Sequence, residues 1–182
     1  LQPAIGRTVK GARWLPVRVD LHNRGSAFRG RLAVEPCFSG RPGREMPRFL
    51  AIKDLSLPSG SRTRHWLYCS ADFGEDEVKA ELRTDRGELV SQARTVLRPI
   101  DPNRRLILVV RPDDHPFSLP QSLDPDKGPC FSVLTDESLP DRWFGYQAAD
   151  VLIWPEPAPD KLSPAQAHAL RGRIREVDDH VH

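Results

Sequence analysis

The feature that most constrains this chain is a change of hydrophobic rhythm near its middle. Between Trp14 and Leu97 several short segments carry apolar residues at every second position, and beyond them Leu106–Val110 and Val151–Trp154 are unbroken apolar runs. A period of two is that of a strand with one wet face, whereas an unbroken run suits a strand covered on both faces, as in parallel sheets.

In the first half Leu15, Val17, Val19 and Leu21 alternate with Pro16, Arg18 and Asp20. Pro16 has no N–H for a ladder, so the segment is expected at an edge or a bulge. Asn23-Arg24-Gly25 follows as a turn, and a second strand is expected over Arg31 to Glu35. Phe49 to Ile52 and Leu55-Ser-Leu57 lead into the breaker Pro58-Ser-Gly60, followed by the aromatic run His65-Trp-Leu-Tyr-Cys69. Val78, Ala80 and Leu82 alternate with Lys79 and Glu81, and Asp85-Arg86-Gly87 turns the chain into Leu89 to Leu97. Short strands separated by turns, without helical periodicity, predict an antiparallel sandwich over residues 14–97 with no helix longer than a turn.

Trp14-Leu-Pro-Val-Arg-Val-Asp-Leu-His-Asn-Arg-Gly25 and Asp54-Leu-Ser-Leu-Pro-Ser-Gly60 resemble bacterial extracytoplasmic domains with an immunoglobulin-like β-sandwich. The resemblance covers residues 1–98 and implies an extracytoplasmic setting, or membrane association through a segment outside this chain.

Arg98-Pro-Ile-Asp-Pro-Asn103 reads as a linker, assigned to residues 99–104. Beyond it Leu106 to Val110 and Val151 to Trp154 are expected to be neighbouring parallel strands, with Phe131 to Leu134 as a third and a short helix over Asp141 to Ala149. Ser163-Pro-Ala-Gln166 carries the residues of a capping box and opens a helix to about Val177, with Leu170, Ile174 and Val177 on its apolar face. Arg105-Leu-Ile-Leu-Val-Val110, Leu139-Pro-Asp-Arg-Trp-Phe-Gly-Tyr146 and Ala149-Asp-Val-Leu-Ile153 resemble the start of class I glutamine-amidotransferase-like domains. Such a domain implies further strands, so residues 105–182 are expected to form a small, incomplete α/β unit with parallel strands.

Little catalytic chemistry is visible. The amidotransferase resemblance implies a cysteine nucleophile on a glycine-flanked turn. Cys130, however, precedes Phe131-Ser-Val-Leu134, which looks like a strand. No glycine-rich phosphate loop follows Val110, where Arg111-Pro-Asp-Asp stands instead. No catalytic residue and no cofactor is therefore assigned. Asp113, Asp114 and His115 follow the first parallel strand, where ligand sites commonly lie, and are the weak metal candidates. Asp178-Asp-His-Val-His182 reads as a solvated tail, and His22 and His65 as structural or surface residues. Of the tryptophans, Trp66 and Trp154 are expected in the core, while Trp143 has the best claim to a contact surface.

With 27 basic and 25 acidic residues the net charge is +2, which gives no basis for nucleic-acid binding. No apolar run approaches the roughly 20 residues of a membrane-spanning helix. Cys37 and Cys69 both fall in the β-rich half, and their pairing is left open. These readings favour a non-catalytic extracytoplasmic module that binds a protein partner or itself. The alternatives are an amidotransferase-like enzyme whose site is completed elsewhere and a weak metal- or ligand-binding protein.

Overall fold

The computed structural model describes residues 2–3, 7–11, 13–37, 50–71, 75–111, 128–155 and 157–178. The strands are β1 (Gln2–Pro3), β2 (Thr8–Lys10), β3 (Arg13–His22), β4 (Phe28–Cys37), β5 (Ala51–Leu57) and β6 (Arg62–Ala71). They continue as β7 (Glu77–Thr84), β8 (Leu89–Val96), β9 (Arg98–Ile100), β10 (Leu106–Val110), β11 (Cys130–Leu134) and β12 (Val151–Ile153), and α1 spans Pro164–Asp178.

Two antiparallel sheets, ordered β1-β3-β6 and β5-β4-β7-β8, enclose one core. Alternation chooses its members: Leu15, Val17 and Val19 of β3 and Leu67 and Cys69 of β6 meet Leu32, Val34, Leu55, Leu57, Val78 and Ala80 of the other sheet. Among the described residues of this half there is no helix. Pro16 lies in the middle strand of its sheet rather than at an edge. Its tolerance follows from parity. Asn23 N donates to Ser61 O, so odd-numbered residues of β3 direct their backbone groups to β6 and Pro16 directs its nitrogen the other way. The described pairs of β1 stop at Val17 and Arg18, so no described partner needs a Pro16 N–H.

The same parity makes the outer face of this sheet. Trp66 and Tyr68 stand on β6 opposite Arg18 and Pro16, away from the sandwich core. That face meets the second unit, in which β10 pairs in parallel with β11 on one side and β12 on the other. The expected neighbouring of Leu106–Val110 and Val151–Ile153 is thus present, with Cys130–Leu134 as the third strand. Leu106, Leu108, Val110 and Leu134 form a second core with Leu139, Tyr146, Ala148, Ala149, Ala169 and Leu170, and Trp66, Ile100 and Trp154 pack against it.

Several expectations are corrected. The Arg98–Ile100 segment is not a loose linker: it is β9, paired in parallel with Thr8–Lys10. Trp66, expected in the core, is partly buried and packs against the second core. The 141–149 segment holds only a 3-10 turn over Trp143–Tyr146, capped by Gln147, whose N–H donates to Phe144 O. β12 is not covered on both faces: Val151, Leu152 and Ile153 are 41%, 37% and 39% exposed. An apolar run marks a strand, but a sheet edge leaves it wet. Helix α1 begins with the expected reciprocal box, Gln166 N donating to Ser163 Oγ and Ser163 N to Gln166 Oε1. It turns Ala169 and Leu170 into the second core; the side chains of Ile174 and Val177 lie outside the described residues.

Candidate functional site

Asp113, Asp114 and His115 lie outside the described residues. Among the described residues no three histidine, cysteine, aspartate or glutamate side chains gather where they could hold a metal ion. The three cysteines are free thiols. Cys130 opens β11, its N–H bonded to Arg105 O, so it sits on a strand and not on a turn. Cys37 lies 3.9 Å from the Glu77 carboxylate, and burial with that negative neighbour raises its pKa. Burial pushes the Cys69 thiol up to about 12, so it is protonated at neutral pH.

The carboxyl edge of the parallel sheet, where ligands bind in open α/β sheets, carries two polar atoms the sequence did not flag. Asp136 follows β11 and is 8% exposed, and its Oδ1 has no hydrogen-bond partner among the described residues. Trp154 follows β12, and its Nε1 is likewise buried without a partner. An unpartnered buried polar atom costs roughly 1–3 kcal/mol. The surrounding backbone is firmly held: Gln166 Nε2 donates to Asp136 O at 3.1 Å and to Leu139 O at 2.9 Å. Helix α1 thereby fixes the loop after β11 through one buried amide.

The seam between the two units joins polar and aromatic contacts. Tyr68 Oη donates to Asp141 Oδ1 at 2.6 Å and accepts from Asp141 N at 3.1 Å. Burial, followed by the Asp141 carboxylate, raises the Tyr68 pKa. Phe144 sits against three rings, with centroids 4.8 Å from Tyr68, 5.3 Å from Trp14 and 5.8 Å from Trp143. Gly145 is needed there, because a Cβ would lie 2.7 Å from Pro140 Cβ and 2.9 Å from Tyr68 Cε1. Lys10 Nζ donates to Asp150 Oδ2 at 2.7 Å, and the same oxygen accepts from Leu106 N. Burial opposes ionisation of Asp150, but these donors outweigh it and hold its pKa below the usual value. Arg64 adds an ion pair to Glu137 at 3.3 Å. Trp143, read as a contact residue, remains 40% exposed.

A family model described as a domain of unknown function (DUF8726) matches residues 1–98. No curated protein matches the chain. Among solved structures, the chain is similar to a Paenibacillus sp. cycloisomaltooligosaccharide glucanotransferase complexed with cycloisomaltoheptaose, at 8% identity and a TM-score of 0.36. That match covers 60% of this chain and 15% of the other, so the chain spans a small part of that protein's length. A likeness of this degree carries no argument about fold or activity.

Proposed function

This chain belongs to the DUF8726 family, and we propose that it is a non-catalytic interaction module whose parallel sheet pairs with another polypeptide along β12. The observation that supports this reading is the edge itself. Among the described residues β12 ends the sheet, and its three residues are all apolar and more than one-third exposed. Edge strands in stable monomers are commonly protected by charges, proline or a covering element, and β12 carries none of the first two within its span.

The occupant assigned to this edge is a second copy of the chain. Two copies of a short strand meeting about a twofold axis pair antiparallel and satisfy both edges at once. In this reading the sandwich is immunoglobulin-like and the α/β unit amidotransferase-like. The order β11-β10-β12 agrees with the opening of a doubly wound 2-1-3-4-5 sheet, and the resemblance of the N-terminal sequence to bacterial extracytoplasmic domains favours an extracytoplasmic setting. Amide hydrogen exchange tests it: the amides of Val151–Ile153 should slow as protein concentration rises. Exchange there that is independent of concentration would overturn the assignment.

A second reading, ligand binding at the carboxyl edge, is favoured by the unpartnered Asp136 Oδ1 and Trp154 Nε1. A ligand at a hundredfold excess over Kd stabilises by about 2.7 kcal/mol. In a manganese or zinc titration, a rise in Tm that disappears in Asp136→Asn would support this reading, and no rise in the unaltered protein would argue against a metal there.

A further inference from the structure

On the outer face of the three-stranded sheet an open depression of about 530 Å³ is lined by Asp20, Leu21 and His22 of β3 and by Arg62, Thr63 and Arg64 of β6. Because Asn23 N donates to Ser61 O, the pairs Asp20–Arg64 and His22–Arg62 are of the non-hydrogen-bonded kind, in which facing side chains stand closest. The two pairs differ in charge. Arg64 meets Asp20 at 3.0 Å, whereas Arg62 faces a histidine, and Arg24 adds a second guanidinium by donating from Nε to His22 Nδ1 at 3.3 Å. The nearby acids are already engaged, Asp20 by Arg18 at 3.3 Å and Arg64, and Glu137 by Arg64 at 3.3 Å. Among the described residues neither Arg24 nor Arg62 has a carboxylate partner. Cations set directly opposite one another weaken a sheet, so an anion between them would relieve a cost that this end of the sandwich carries.

The frame beneath these side chains is held by one amide. Asn23 Nδ2 donates to Ser26 O at 2.7 Å, Leu57 O at 3.0 Å and Pro58 O at 3.1 Å, and Asn23 Oδ1 accepts from Gly25 N at 3.0 Å. The turn that carries Arg24 is thereby pinned to the turn that leads into Arg62, so the cluster is organised before any ligand arrives. Desolvation, followed by the Arg62 and Arg24 charges, lowers the His22 pKa. A neutral ring that accepts at Nδ1 carries its proton at Nε2, which leaves that N–H free to donate. We propose that His22, Arg24 and Arg62 bind a tetrahedral dianion, the group common to phosphate, sulfate and their monoesters, through the terminal guanidinium nitrogens and His22 Nε2–H. Two uncompensated guanidinium charges match a ligand of charge −2 better than a carboxylate. The site shares no residue with β12 or with the carboxyl edge of the parallel sheet.

The probes are sodium sulfate, phosphate and acetate, titrated at constant ionic strength while NMR follows the His22 ring and the Nε–H groups of Arg24 and Arg62. Sulfate and phosphate should give saturable shifts and bind about tenfold more tightly than acetate, because the attraction scales with the charge of the ligand. The charged groups around His22 are Arg24 of its own turn, Arg62 and Arg64 of β6 and Asp20 of β3. An anion added among them favours the imidazolium, so saturation with sulfate should raise the His22 pKa. The double variant Arg24→Gln/Arg62→Gln alters two exposed side chains and should lose the saturable response while keeping its Tm. Methyl phosphate run beside inorganic phosphate distinguishes the source: binding retained supports a monoester on a larger molecule, and binding lost supports the free ion. The proposal is overturned by the lack of a saturable shift with sulfate and phosphate, by acetate binding as tightly as sulfate, by a His22 pKa that sulfate leaves unchanged, or by binding that survives in the double variant.

Discussion

The hydroxyl of Tyr68 and the carboxylate of Asp141, 73 positions apart in the chain, share a 2.6 Å hydrogen bond that the Asp141 amide answers with a second of 3.1 Å. One side chain of the sandwich thus acts as donor and acceptor toward a single residue of the α/β unit. The aromatic packing of Phe144 on Tyr68 and Trp14 closes the same seam.

Removing the hydroxyl leaves that packing in place but strips Asp141 of both bonds. Tyr68→Phe is expected to cost about 1–3 kcal/mol, the range for a hydrogen bond to a charged group and the groups it leaves unpaired. Gly145→Ala should cost about 1–3 kcal/mol by a different route, because the new Cβ meets Pro140 and Tyr68 with no flexible side chain end to yield. Thermal unfolding checks both. A chain of this size loses roughly 2–4 °C in Tm per kcal/mol. Variants indistinguishable from the parent would mean that the seam is not a stabilising contact.

The protein has two tyrosines, and both are held protonated beyond the usual phenol range: Tyr68 by burial and Asp141, Tyr146 by burial and then the Asp141 charge. A folded pKa raised above the unfolded value of about 10 contributes stability that is complete below pH 10 and declines as pH rises above it. Absorbance at 295 nm should therefore stay flat through pH 10–11 in the native protein and rise together with loss of structure. A reversible rise near pH 10 with the fold intact would contradict the burial of either ring.

Much of the sandwich was legible because alternation is a local signal. β3 runs Arg13–His22 against an expected Trp14 to Leu21, and the strands at Val78 and Leu89 lie where they were read. β4 extends from Phe28 to Cys37, beyond the expected Arg31 to Glu35, because tertiary pairing with β5 and β7 draws in Gly30 and Pro36, poor strand formers on their own. β9 was hidden since Arg98-Pro-Ile100 pairs with Thr8–Lys10, some ninety residues earlier, and nothing local records such a partner. The seam and the buried Asp136 were missed for the same reason: which face of β6 meets the second unit depends on how two separately legible parts dock. The metal candidates Asp113, Asp114 and His115 lie outside the described residues.

Cys69 is buried, its Sγ directed at Leu15 O, and its pKa is pushed to about 12. Alkylation with iodoacetamide at pH 8 followed by mass spectrometry should leave Cys69 unmodified in the native protein and modify it after denaturation. Modification of Cys69 in the native protein at the rate of a free thiol would show that the sandwich core opens at this end.

The pairing of β12 is tested most directly by sedimentation of the unaltered chain beside the double variant Val151→Lys/Ile153→Lys. These two residues stand opposite Ile107 and Val109, on the face away from the second core, so two charges there spare Leu152 and the packing beneath it. The unaltered chain is expected to shift from monomer to dimer with rising concentration, and the double variant to remain monomeric with its Tm unchanged. A parent that stays monomeric throughout, or a double variant that dimerises like the parent, would contradict pairing through this edge.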